Sequence, residues 1–165
     1  MTVGLSLPMS SAMRRHVQLV CKLTSIGAYG LSLAIFHNVQ PIAAKAYNDL
    51  CQSQGMTFGD GEPVNILVVA IIVITVPLLI ARSNAVVTTN LTLALGTALG
   101  AVGLRYTAGD TPYECFTTGG TYEDHTSGLE GFEFWFIFVV VVSCILLLID
   151  WTVWALRRPS QNGGR

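Results

Sequence analysis

The chain has 165 residues, which is the length of a single domain, with 52% hydrophobic and 12% charged residues. Soluble domains carry about 25% charged residues, so this composition excludes an ordinary soluble protein and places the chain in a lipid bilayer. The formal net charge is -1, and the few scattered basic residues argue against a nucleic acid partner.

Four nearly charge-free stretches follow one another along the chain. At 1.5 Å rise per residue, stretches of about 18 to 25 residues cross a hydrocarbon core of roughly 30 Å. We therefore predict an all-α membrane protein, a bundle of four transmembrane helices at residues 17–37, 64–81, 85–106 and 132–156. External loops at 38–63 and 107–131 and flexible tails at 1–12 and 159–165 complete a single membrane domain over residues 1–165.

Basic residues near the span ends predict the orientation, because lysine and arginine resist translocation whereas acidic residues count for little. Six arginines fall on one side of the predicted topology: Arg14, Arg15, Arg82, Arg157, Arg158 and Arg165. Every acidic residue except Asp150 falls on the other side or at its span ends. We expect both termini to be cytoplasmic, in a plasma membrane or a bacterial inner membrane.

The first span also has a second interpretation. Arg14 and Arg15, an apolar run and the triplet Ala44-Lys45-Ala46 imitate a secretory signal peptide with its cleavage site. The apolar run is longer than the usual hydrophobic region of about 7 to 15 residues. We therefore favour a retained membrane span.

The first external loop is expected to contain a short amphipathic helix that lies on the membrane surface. Pro41 is a favourable first helical residue, and Ile42, Ala46 and Leu50 then recur every four positions until Gly55. The second loop is rich in Gly, Thr and Asp, and we expect little regular structure there.

The four cysteines fall into two classes. Cys21 and Cys144 lie inside predicted spans, where a thiol is usually an apolar filler. Cys51 and Cys115 lie one in each external loop, in a compartment where disulfides persist. We predict that Cys51 and Cys115 form a disulfide, with two free thiols as the alternative.

Two features predict how the spans pack. The connection Arg82-Ser83-Asn84 is very short, so we expect the second and third spans to be antiparallel neighbours. Gly96 and Gly100 form a G-x-x-x-G pattern on the third span, which predicts close helix packing within one chain or between copies.

Three polar residues, Lys22, Asn90 and Asp150, lie at one depth near the cytoplasmic ends of three different spans. A charge at the bilayer centre costs on the order of 2.5 to 3.5 kcal/mol, so pairing of Lys22 with Asp150 would relieve both. We predict a buried polar cluster with hydrogen bonds from Asn90. The alternative is that Lys22 extends to the interface and Asp150 is a satisfied packing residue. Asp150 shares one distinctive face of its span with Ser143 and Trp154.

The sequence contains none of the common catalytic or nucleotide-binding motifs, so a catalytic role and a cofactor have no positive support. The loop segment Glu123-Asp124-His125 matches no metal-ligand spacing, and we expect no metal site. Our leading hypothesis is a non-enzymatic subunit whose partners are the lipid bilayer and other membrane proteins or copies of itself. The alternative is a homo-oligomeric channel or small proton- or cation-coupled transporter that uses Lys22, Asn90 and Asp150. A third hypothesis, a membrane enzyme, would act through the 123–125 loop.

Labelling in intact cells tests the orientation. Cysteines introduced at Ser83 and near residue 163 should resist an impermeant maleimide added from outside, whereas Ser53→Cys should react. The reverse labelling pattern would overturn the predicted orientation.

Overall fold

The computed structural model describes residues 10–53, 64–107 and 128–157, and these residues form four helices and no strand. The helices are α1 (Ser11–Ser53), α2 (Val64–Ile80), α3 (Asn84–Thr107) and α4 (Gly128–Arg157). Three of them contain segments long and apolar enough to cross a membrane: Ser11–Ile42, Asn84–Thr107 and Leu129–Leu156. The predicted all-helical class is thereby confirmed, and three of the helices suit a membrane protein by their length and composition.

The helix α2 is the short member of the set. It has 17 residues and corresponds to about 26 Å of helix, slightly less than a hydrocarbon core of roughly 30 Å. Its sequence contains no charged residue, and Pro77 lies inside it. The helix nevertheless continues to Ile80, and the backbone N–H of Ala81 still donates to the carbonyl of Pro77 at 3.0 Å.

The helix α1 is much longer than the predicted span. It runs unbroken through 43 residues, which corresponds to about 64 Å. The prediction of a separate helix beginning at Pro41 was wrong, because Pro41 lies inside α1. A proline in a helix removes one backbone bond, here to the carbonyl of His37, and the strong helix formers Ala43 and Ala44 follow one residue later.

The packing order differs from the chain order. Both α1 and α4 pack against α2 and against α3, and the most extensive packing is between α1 and α3. The helices α2 and α3 therefore lie on opposite corners of the bundle, and the prediction that they are packed neighbours was wrong. The chain takes four residue steps from the end of α2 at Ile80 to the start of α3 at Asn84, and four extended steps span about 14 Å. That distance spans the diagonal of a bundle whose neighbouring axes are about 8 to 10 Å apart.

The other two corner helices, α1 and α4, meet through large aromatic side chains that fill the centre. The rings of Phe36 and Phe132 are stacked with centroids 5.7 Å apart, and Tyr29 meets Phe136 edge to face at 6.0 Å. All four side chains are buried. Offset-stacked and edge-to-face pairs stabilise each other beyond their burial, so these rings form the core between the two corners.

The outside of the bundle is as apolar as its core. Leu99 and Phe134 are 73% and 75% exposed, and large exposed apolar side chains occur along all four helices. A soluble protein would rarely leave so much contiguous apolar surface in water. Such a surface matches a lipid environment.

Candidate functional site

Polar side chains from two helices meet the connection between α2 and α3, residues 81–83. Lys22 on α1 is only 8% exposed, and its ammonium donates to the carbonyl of Leu79 at 2.8 Å and to that of Ala81 at 2.6 Å. The last carbonyls of a helix lack partners within the helix, and the negative end of the helix dipole attracts a cation. Lys22 therefore caps the C-terminal end of α2.

Asp150 on α4 holds the other side of the same connection. Its Oδ2 accepts hydrogen bonds from the backbone N–H of Arg82 at 2.8 Å and from that of Ser83 at 3.3 Å. These amides immediately precede α3, where the positive end of the helix dipole favours an anion. Hydrogen bonds to an ionised acceptor are the strong ones, so Asp150 fixes the start of α3.

The structure thus brings Lys22 and Asp150 to one connection, where each bonds to the backbone rather than to the other. The cation takes the carbonyls that α2 leaves unpaired, and the anion takes the amides that lead into α3. The two charges serve the same few residues from two different helices. This arrangement gives partners to backbone groups that helix ends leave without intrahelical bonds.

Two more side chains, Gln18 and Trp154, contact the connection or the residue that follows it. The amide of Gln18 donates to the carbonyl of Arg82 at 3.1 Å and also to Oδ1 of Asn84. The guanidinium of Arg82 lies over the ring of Trp154 at 4.1 Å, which is a cation–π contact. We refer to Gln18, Lys22, Asp150 and Trp154 as the connection clamp.

Sequence reasoning missed Gln18 as a member of this group. Its signal was its spacing, because Gln18 lies one turn before Lys22 on α1, just as Trp154 lies one turn after Asp150 on α4. Two pairs at i and i+4 on different helices therefore meet the same three-residue connection.

Asn90 does not take part in the connection clamp. It is 1% exposed, and neither Nδ2 nor Oδ1 of its side chain has a hydrogen-bond partner among the described residues. Two buried hydroxyls also lie outside the connection clamp, those of Tyr29 and Ser143, which are 3.2 Å apart. The polar face of α4 that begins at Ser143 is thus turned inward.

The two glycines of the G-x-x-x-G pattern on α3 have different surroundings. A β-carbon built on Gly100 would meet the ring of Phe132 at 3.6 Å, whereas one built on Gly96 would meet nothing within 4 Å. The buried face of α3 is formed by other residues: Val87, Asn90, Ala94, Thr97, Ala98, Ala101 and Leu104. Gly96 therefore leaves room on the outside of the bundle rather than inside it.

Several predicted features fall outside the described residues. The side chain of Cys51, all of Cys115 and the segment 123–125 are among them, so the predicted disulfide stays a prediction. Of the described cysteines, Cys21 and Cys144 are free thiols. The described ranges also contain no group of three or more potential metal ligands.

Comparison with known proteins adds no family to this geometry. The chain matches no protein-family model, no curated protein and no solved structure.

Replacing Lys22 with methionine tests the cap on α2. Methionine keeps an apolar chain of similar length and removes the donors to Leu79 and Ala81. Hydrogen bonds to charged groups are worth about 1.5 to 3 kcal/mol, so we expect the free energy of unfolding in bicelles to fall by about that amount. Lys45→Met, at an exposed position of the same helix, is the matched control and should change it by less than about 0.5 kcal/mol. Equal effects of the two substitutions would contradict the cap.

Proposed function

We propose that the protein is a non-enzymatic subunit with four membrane spans that associates with other membrane proteins in a larger complex. Both termini face the cytoplasm, and the connection of residues 81–83 lies on that side with Arg82. The proposed orientation follows from the arginines near the span ends, and the exposed Trp135 and Trp151 near opposite ends of α4 fit the two aromatic belts of a bilayer.

The helix α2 counts as the fourth span in this proposal. It shares a connection with α3, whose 24 residues are long enough to cross, and no charged residue interrupts it. A bilayer accommodates a span that is a few ångströms short by local thinning, at a cost of fractions of a kcal/mol per ångström. Crossing by α2 is therefore compatible with its length.

The observation that carries the proposal is that Lys22 and Asp150 bond to the backbone. A transporter needs an intramembrane charge that can bind and release its ion. Here the ammonium already holds two backbone carbonyls and the carboxylate holds two backbone amides. Both charges therefore have a structural task, and this favours a protein whose polar residues fix its shape.

The outer surface offers room for partner helices. A β-carbon built on Gly27, Gly30, Gly96 or Gly103 would meet nothing within 4 Å. Small residues on the outside of a membrane helix let another helix approach closely. Large apolar side chains of α4, such as Phe134 and Phe138, are exposed as well. Helices of other membrane proteins, or of further copies of this chain, fit such a surface.

One observation favours the alternative, a homo-oligomeric channel or small proton- or cation-coupled transporter. The side-chain amide of Asn90 has no partner among the described residues of the interior, where Tyr29 and Ser143 are also buried. Polar groups inside a membrane bundle often mark the path of an ion or a proton. In this alternative, Lys22 and Asp150 would change partners during transport.

The substitution Asp150→Asn separates the two functions. It removes the charge that holds Arg82 and Ser83 and keeps the shape of the side chain. If the protein is a subunit, native mass spectrometry of the tagged protein from its own membrane should show foreign subunits in fixed ratio. The variant should then lower the yield of the complex several-fold. Thr152→Val, at an exposed position of the same helix, should leave the complex unchanged.

The contradicting result is equally specific. Mass spectrometry would then show the protein as a homo-oligomer or a monomer without foreign subunits. The Asp150→Asn variant would fold normally but lose ion flux into liposomes. Together these results would support the transporter and contradict the subunit.

A further inference from the structure

The interior of the bundle holds a side-chain amide that forms no hydrogen bond with the part of the chain that the structure describes. Asn90 is 1% exposed, and both Nδ2 and Oδ1 lack a hydrogen-bond partner among the described residues. Buried side-chain amides in proteins are nearly always paired with protein or with ordered water. Asn90 can thus both donate and accept a further hydrogen bond.

A hydroxyl hydrogen is left over in the same interior. The hydroxyls of Tyr29 and Ser143 are both fully buried and share one hydrogen bond of 3.2 Å, in which either can be the donor. The pair has two hydroxyl hydrogens and uses one of them in this bond. Whichever residue donates, the hydrogen of the other hydroxyl needs an acceptor.

Other buried hydroxyls differ from this pair because they are satisfied within their own helices. Ser25 donates to the carbonyl of Cys21, and Thr97 donates to that of Leu93, each at 2.8 Å. Ser32 likewise donates to the carbonyl of Ala28 at 2.7 Å. The spare hydrogen of the Tyr29–Ser143 pair is thus distinct from the saturated hydroxyls around it.

The unsatisfied groups lie at one level of the bundle. Counted from the connection of residues 81–83, Tyr29 lies seven residues beyond Lys22, Ser143 seven before Asp150, and Asn90 seven beyond Ser83. Seven helical residues correspond to about 10.5 Å. The three side chains are all turned inward, and α3 packs against both α1 and α4. The three buried residues therefore lie at one height of the bundle, roughly two helical turns from the connection clamp.

We propose that Asn90, Tyr29 and Ser143 bind an internal water molecule in the core of the bundle. Water donates one hydrogen to Oδ1 of Asn90, accepts one from Nδ2 and accepts the spare hydroxyl hydrogen. These three bonds are the number that a buried water typically makes. A bare cation fits less well, because it attracts Oδ1 but repels the amide hydrogens on Nδ2.

Nuclear magnetic resonance tests this site directly. The protein is labelled with ¹⁵N-asparagine, reconstituted in lipid nanodiscs and examined by water-selective rotating-frame Overhauser spectroscopy. We expect a cross peak between water and the side-chain amide of Asn90, with the sign of a long-lived contact. The side-chain amide of Asn84 serves as the internal reference for surface hydration, because Asn84 is exposed. Its contacts with water should be short-lived.

Matched variants then identify the other water ligands. The double substitution Tyr29→Phe and Ser143→Ala should weaken the Asn90 cross peak at least two-fold, because it removes both hydroxyl hydrogens that can bond to the water. Thr97→Val is the control on α3, because the Thr97 hydroxyl already donates to the Leu93 carbonyl, and it should leave the cross peak unchanged.

Three results would overturn the proposal, and the unsubstituted protein alone can give them. The first is that the Asn90 amide of the folded protein shows no contact with water. The second is that this amide shows contacts with lipid chains instead. The third is that the Asn90 resonance shifts when sodium or potassium chloride is added and the water contact is absent, which would identify a cation site.

Discussion

The structure depends on a backbone connection that has to be satisfied close to a lipid environment. A helix end leaves up to four carbonyls or four amides without partners, and a bilayer core offers no water to bond them. Between α2 and α3 an unsatisfied helix C-terminus is followed after three residues by an N-terminus. Two side chains from the other helices bond these groups. Lys22 on α1 donates to the carbonyls at the end of α2, and Asp150 on α4 accepts from the amides that precede α3.

This solution sets the geometry of the whole bundle. Because the connection is held from α1 on one side and from α4 on the other, both helices must pass close to it. The helices α2 and α3 then diverge to opposite corners, and α1 and α4 close the centre through Tyr29, Phe36, Phe132 and Phe136. The clamp at the connection and the aromatic core above it are thus two levels of one arrangement between the same two helices.

The sequence was sufficient for the coarse architecture because it is set by hydropathy and helix length. Four apolar stretches appeared as four helices. The sequence also singled out Lys22 and Asp150, which both bond to the connection between α2 and α3 in the structure. Their actual partners were not predictable in the same way. Every residue has a backbone carbonyl, so the sequence does not show which carbonyls a lysine binds. A lysine that caps a helix therefore cannot be distinguished in the sequence from a lysine that forms an ion pair.

The errors have similar physical causes. A short connection suggested that α2 and α3 pack together, but connection length limits only the distance between their ends and not the direction in which they leave. Pro41 suggested a helix start because proline is common there, although a proline inside a long helix removes only one backbone bond. The unsatisfied amide of Asn90 could be recognised only once the packing around it was known.

The central claim is that Lys22 and Asp150 act as one unit on the same connection. A double-mutant cycle of Lys22→Met and Asp150→Asn, with the free energy of unfolding in bicelles as readout, tests it most directly. Groups that share one backbone turn should be coupled, so we expect the double variant to deviate from additivity by about 0.5 to 3 kcal/mol. Losses that add within about 0.5 kcal/mol would show that the two charges act independently and would contradict the account.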